Sequence, residues 1–326
     1  MTHRRELSVA AAYAALLAAL WWRAPAFFQF TNHRDVVVAA APVLVAAVGM
    51  TLVILTRQID ISIGSQFAIC AVVAGLLAKA GLAMPIAAAG AVAAGVMLGA
   101  LNGLLVAGLG LPSIVVTLAT MVGLREALRW TTGGEWVQEL PATFQWMGLG
   151  QSAGRASIVV AAAIVWVAAA WALRHVAAGR AIYATGSDVE AARLAGMRPR
   201  LVVFGVFVAM GALTGLAAVL SAIQFIDVQT NAGAGFELRV IAAVVVGGTS
   251  IAGGRGSLAG SLVGVLLLAT AGPALVFLGT EAYWDRALQG AIVLAAVAAD
   301  AVTVRGVRLQ PDRDRLRPDP IRTVER

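Results

Sequence analysis

Apolar runs of 17 to 25 residues recur along almost the whole of this chain, and no other feature restricts its fold so strongly. Runs of that length suit helices crossing about 30 Å of hydrocarbon. Hydrocarbon offers the backbone no hydrogen-bond partners, so only helices and closed barrels span it. Barrel strands would show short segments of alternating polarity, and none are present. Only 13% of the 326 residues are charged and 60% are hydrophobic, against roughly 25% charged in soluble domains. The expected fold is all-α: a polytopic integral membrane protein with no room for a large soluble domain.

Ten spans fit the pattern, at about 7–28, 36–56, 65–80, 84–108, 112–130, 157–174, 201–222, 237–250, 257–274 and 284–302. The eighth is short for a crossing. It is expected either to dip in and return or to break at Gly247 and Gly248. Arg4 and Arg5 before the first apolar run allow a secretory signal, but more membrane segments follow, so an uncleaved first span is expected. A transmembrane domain over 1–304 then precedes a basic tail, 305–326. Rich in Arg, Asp and Pro, the tail is too polar to pack and is expected to be disordered or to lie on anionic lipid.

All but one of the 24 basic residues are arginine, the exception being Lys79, and they gather in particular loops. Placing both termini in the cytoplasm puts sixteen on that side and eight on the other. Such a bias is the signature of orientation, so N-in and C-in are expected, with Trp130, Trp136, Trp146 and Trp284 anchoring the outer face. A weak internal repeat is visible too: IDISIGS at 59–65 and IAGGRGS at 251–257 each stand at a Gly-Ser break before an apolar run. Transporters commonly contain duplicated halves; two unrelated glycine-rich turns remain the plainer alternative.

Between two apolar segments lies a polar stretch, 186–196. Ser187 and Glu190 have capping-box spacing. Gly196 can supply the left-handed residue that ends a helix, and Pro199 blocks continuation. About two turns of capped helix are expected, either as a solvated connector or as a grip for another protein.

Several chemistries are excluded. A phosphate-binding loop needs a Lys between Gly and Ser or Thr, and Lys79 sits between two alanines. The run 247–256 is glycine-rich without that lysine and suits a tight reversal. Cys70 is the single cysteine, and His3, His33 and His175 have no metal-ligand spacing, so no metal site is expected. No basic patch is interleaved with exposed aromatics, so no nucleic-acid partner is expected. No nucleophile–base pair appears, and the chain is not expected to be an enzyme. Asp60 and Glu237 are the carboxylates nearest span interiors, the positions an ion-coupled carrier would use; for Asp60 a local ion pair with Arg57 is the bland reading. Ser62, Ser65, Asn102, Thr117, Thr120, Gln224 and Asn231 are the other polar candidates for a pathway, or simply bond to neighbouring helices. A weakly polar pathway of this kind suits a neutral, hydroxyl-rich solute. Gly95, Gly99 and Gly103 read as a helix–helix contact.

Taken in order, the segments GMTLVILT (49–56), IDISIGS (59–65), LNGLLV (101–106), PSIVVTLATM (112–121), EAARLAG (190–196), NAGAGFEL (231–238) and the run 240–256 resemble the permease subunits of bacterial ATP-binding-cassette importers for ribose, xylose, rhamnose and autoinducer-2. The wording at 55–58 and 272–279 is most similar to the rhamnose type. Isoleucine at 61 and 63, where relatives usually carry leucine or valine, is a mild departure. The resemblance implies an inner-membrane complex of two permeases (a second copy or a paralogue), a cytoplasmic ATPase that binds the ATP and magnesium, and a periplasmic sugar-binding protein. It implies no cofactor in this chain. It also implies that the helix at 187–196 docks on the ATPase, with Ser187, Asp188, Glu190, Ala191, Ala192, Arg193 and Gly196 as coupling residues. Glu190 and Arg193 are the expected polar contacts, and Ala191 and Ala192 would allow close approach.

Overall fold

The computed structural model describes residues 2–280 together with Trp284, Ala287, Gly290, Ala291, Ile292 and Leu294. The expected tenth span, apart from those last six residues, and the basic tail lie outside the described residues. The described part is helical, with one isolated bridge between Val137 and Val228. Its helices are α1 (Thr2–Arg23), α2 (Phe30–Leu55), α3 (Ile63–Lys79), α4 (Met84–Gly103), α5 (Ser113–Thr132), α6 (Gln151–His175), α7 (Ala177–Ser187), α8 (Val189–Leu194), α9 (Pro199–Ala222), α10 (Phe236–Val246) and α11 (Leu258–Phe277). Each of the first nine expected spans contains one of these helices, with ends shifted by a few residues. Five are long and apolar enough to cross a membrane: α2, α4 with its π-helical extension to Gly108, α6, α9 and α11.

Local chemistry sets the ends. Pro199 opens α9, where its missing N–H costs nothing. Ser257 caps α11 by accepting from the Gly260 amide at 3.0 Å. Gly133, at φ 63°, closes α5. Within α2, Thr51 satisfies its hydroxyl on the Ala47 carbonyl at 2.6 Å and meets Ser261 of α11 at 2.8 Å. The centre is α2 and α9, packed on each other and on α3, α4, α10 and α11. Ala46, Val53, Phe207 and Met210 are fully enclosed there. At the periphery, α5 and α6 turn Val115, Val122, Ile164 and Val167 outward, as a helix facing hydrocarbon does.

α10 spans 11 residues, about 16 Å at 1.5 Å per residue, and cannot cross alone. It ends at Gly247, so of the two expectations for the eighth span the break is what forms. α3 is also short, and the two half-helices begin against each other. A methyl at Gly64 would strike the Glu237 carboxylate and the Gly233 carbonyl, and a methyl at Gly233 would strike the Gly64 carbonyl. Phe67 and Phe236 pack with their rings tilted by 33° and centroids 4.3 Å apart. From this meeting point α3 runs to Lys79, which bonds Gln138 O and Glu139. α10 runs the other way, to Gly247 against Gly260.

These contacts reveal an inverted repeat, but not in the expected register. Both pairs, Gly64 with Gly233 and Phe67 with Phe236, are 169 residues apart. The same shift lays α2 over α9 and α3 over the stretch containing α10. The packing of α4 on α9 then matches that of α11 on α2, and α3 on α4 matches α10 on α11. The segment equivalent to 59–65 is therefore 228–234, not 251–257. The glycine stripe behaves as expected: Gly95 and Gly99 of α4 close on α9, where Gly95 and Gly211 approach backbone to backbone.

Candidate functional site

The expected pathway residues separate into two groups. The first is a closed knot at the start of α3. Asp60, with no exposed surface, accepts from the Ser62 amide at 2.9 Å, the Ser62 hydroxyl at 2.5 Å and the Gln66 amide at 3.1 Å. Ser62 Oγ in turn accepts from Gln66 Nε2 at 2.7 Å and from Asn102 Nδ2 of α4 at 2.8 Å. Thr117 of α5 donates to the Ile59 and Ser113 carbonyls, and Ser113 Oγ accepts from the Ile59 amide. Thr120 bonds back to the Thr117 carbonyl. The knot pins the segment 59–62 to α4 and α5 and places a carboxylate at the positive end of α3. Arg57 takes no part in it: the expected ion pair with Asp60 does not form. Gln66 and Ser113 are members that sequence reasoning missed.

The second group surrounds a cavity of about 300 Å³ between α3, α5 and the segment 230–234. Ser65 and Asn231 line it, and so do Arg125, Glu126, Arg129, Trp136 and Thr230. Glu237, in the first turn of α10, lies against two of its wall residues. Its carboxylate abuts Gly64, and its Oε1 is 3.9 Å from Arg125 Nη2. Gln224 belongs to neither group; its amide turns back to the Leu220 carbonyl at 2.8 Å.

The third feature is α8. It is six residues long, shorter than expected, because α7 continues through Ser187. The cap is therefore Asp188 and not Ser187: Asp188 Oδ1 accepts from the Glu190 and Ala191 amides at 2.9 and 3.0 Å. Glu190 does not reach back but pairs with Arg193 at 2.9 Å. Gly196, at φ 80°, ends the helix as expected, with the Met197 amide bonded to the Ala192 carbonyl at 3.0 Å. Ala192 is 3% exposed and faces its own chain, so it cannot provide close approach to a partner. Leu194 can, being 89% exposed; no sequence reading had singled it out.

The root of α8 is clamped. Arg57, which follows α2 at φ 63°, donates Nε to the Gly186 carbonyl at 2.6 Å and Nη2 to the Ser187 carbonyl at 2.5 Å. A guanidinium on the last carbonyls of α7 also suits that helix's dipole. The Gly254 amide bonds the Leu55 carbonyl at 2.9 Å, and Tyr183 donates to the Gly256 carbonyl at 2.9 Å. Ser257 donates to Glu6 of α1 at 2.6 Å. The root of α8 thus touches the end of α2, which leads into the knot and α3, and the loop joining α10 to α11.

A half-helix pair inside a bundle and an exposed, clamped polar helix outside it are features of a transport subunit, and comparison with known proteins agrees. Residues 33–297 match the family described as branched-chain amino acid transport system / permease component. The chain belongs to this family. It is 34% identical over 299 residues to the autoinducer 2 import system permease protein LsrC of Enterobacter sp. (strain 638), covering 91% of this chain and 86% of that one. It is 36% identical over 262 residues to LsrC of Escherichia coli (strain K12 / DH10B), covering 80% and 77%. LsrC of Salmonella paratyphi B is 34% identical over 262 residues, covering 80% and 76%. No solved structure matches. The chain is a multi-pass membrane permease of an ATP-binding-cassette importer, not an enzyme. Among the described residues no group of His, Cys, Asp or Glu could hold a metal.

Proposed function

We propose that this chain is the inner-membrane translocation subunit of an importer for a small hydroxylated solute, either a monosaccharide such as rhamnose or autoinducer 2. ATP and magnesium bind a separate cytoplasmic ATPase, and a periplasmic binding protein delivers the solute. Two permeases, a pair of copies or a copy with a paralogue, form the pathway. Both termini and α8 face the cytoplasm, in keeping with the arginine bias. The relatives named for autoinducer 2 bring that solute forward; the wording at 55–58 and 272–279 keeps rhamnose beside it.

The observation that carries this reading is α8 itself: an exposed, capped helix whose root is tied to two interior segments. The ATPase grips Glu190, Ala191, Arg193 and Leu194. Nucleotide-dependent movement there shifts α2 and the α10–α11 loop, and with them the two half-helices. A ligand shifts such an equilibrium only through contacts that differ between the two states, and α8 supplies that differential contact. Purification in mild detergent with identification of the associated chains tests this. An ATPase subunit accompanies the wild type and is lost with Leu194→Asp, while the permease itself remains folded. Recovery of the same ATPase with the variant contradicts docking at α8.

A further inference from the structure

An open groove of about 710 Å³ runs between α7 and α9, apart from the knot and from the cavity beside α5. We propose that it holds one acyl chain of an anionic phospholipid, whose phosphate is bound by Arg180 and Arg198. Both arginines line the groove and both are exposed. Among the described residues, neither guanidinium has an ion pair or a hydrogen bond. No carboxylate lines the groove. Two cations at one opening without a counter-charge suit a phosphate, whose oxygens match the planar guanidinium fork. A zwitterionic headgroup fits less well, because its ammonium would find no acidic partner there. The site is separate from the solute pathway and does not depend on which solute is moved.

The body of the groove has the chemistry and the length of a lipid chain. Leu201, Val202, Gly205, Val206 and Ala209 form one face of α9 along it. Leu201 is 58% exposed, and a methyl added at Gly205 would meet nothing within 4 Å. The floor reaches Leu52 of the central helix α2, which is only half-buried. α9 is long and apolar enough to cross a membrane, so its Arg198 end stands at a membrane face. From Arg198 to Ala209 the groove extends about 16 Å at 1.5 Å per residue. That is about half of a 30 Å hydrocarbon core, the depth of one leaflet. Other occupants fit poorly. A water-soluble subunit cannot enter the apolar body. The tail 305–326 carries seven arginines against four acidic residues, and Arg180 and Arg198 repel that excess.

Native mass spectrometry of the full-length permease tests the site. The protein is delipidated in mild detergent and titrated with dioleoyl phosphatidylglycerol or with dioleoyl phosphatidylethanolamine. The wild type binds one phosphatidylglycerol with a preference of about thirtyfold, each arginine contributing a factor of about five. Replacing both arginines, Arg180→Gln with Arg198→Gln, abolishes the preference and leaves phosphatidylethanolamine binding unchanged; both are exposed, so the fold is kept. Gly205→Phe places a ring in the groove without altering either arginine, and the first tight phosphatidylglycerol is lost. Equal binding of the two lipids by the wild type overturns the site, and so does a wild-type preference retained in the arginine variant or in Gly205→Phe. Dimers of the wild type that persist without lipid and come apart with Gly205→Phe assign the groove to a second copy of the chain, which also overturns it.

Discussion

At the scale of single residues, the half-helix crossing depends on the absence of side chains. Gly64 and Gly233 each face the other's carbonyl, and Gly64 also faces Glu237. Gly64→Ala therefore forces α3 and α10 apart and destabilises the fold by about 1–3 kcal/mol, the usual cost of overpacking. Gly123→Ala, where an added methyl inside α5 meets nothing within 4 Å, leaves stability unchanged or raises it by up to about 1 kcal/mol. Thermal unfolding of the two variants in the same detergent measures the contrast; equal effects contradict the crossing. Residue spacing alone was a poor guide nearby. Arg57 and Asp60 are three apart, which pairs them only if a helix continues between them. The helix stops at Leu55, and Arg57 turns left-handed, so its guanidinium goes to Gly186 and Ser187 instead.

At the scale of elements, α8 shows what sequence patterning can and cannot fix. Its existence, its glycine stop and its proline boundary were all legible, because each rests on local backbone chemistry. Its first residue was not. Ser187 and Glu190 match the capping signature, yet α7 buries Gly179, Ile182, Thr185 and Gly186 against the bundle and so stays helical through Ser187. Tertiary packing passed the capping role to Asp188. Asp188→Ala removes both amide acceptors and costs α8 about 1 kcal/mol. Amide exchange over 189–195 then speeds up severalfold while exchange in α2 is unchanged; unaltered exchange in α8 contradicts Asp188 as the cap. The inward face of Ala192 was equally invisible, since two adjacent alanines on a six-residue helix carry no amphipathic signal. The knot was half legible: Asp60, Ser62, Asn102 and Thr117 stand out as polar residues in apolar runs, whereas Gln66 joins by turning back to Asp60 and Ser62, and Ser113 by the packing of α5 against Ile59.

At the scale of the whole molecule, fold class and membrane character followed from apolar run lengths, while the inverted repeat did not. Its register is held by backbone contact at Gly64 and Gly233 and by one pair of phenylalanines, too few positions to show as similarity between the halves. The Gly-Ser breaks at 64–65 and 256–257 are more conspicuous in the sequence but sit in different surroundings: Gly64 meets Gly233 and Glu237, while Gly256 meets Thr249 and Ser257 bonds Glu6. α3 and α10 leave one point for opposite ends of the bundle, α2 and α9 cross at its centre, and α8 hangs outside on a clamp that reaches into both halves. On the proposed function, a push on α8 from the ATPase becomes a change at the crossing. The most direct measurement is solute uptake into proteoliposomes made with the permease alone or with its ATPase and binding protein, under ATP or under a proton or sodium gradient. Uptake only with the full complex and ATP, and its loss with Leu194→Asp, is the result this account predicts. Uptake by the permease alone on an ion gradient would contradict it.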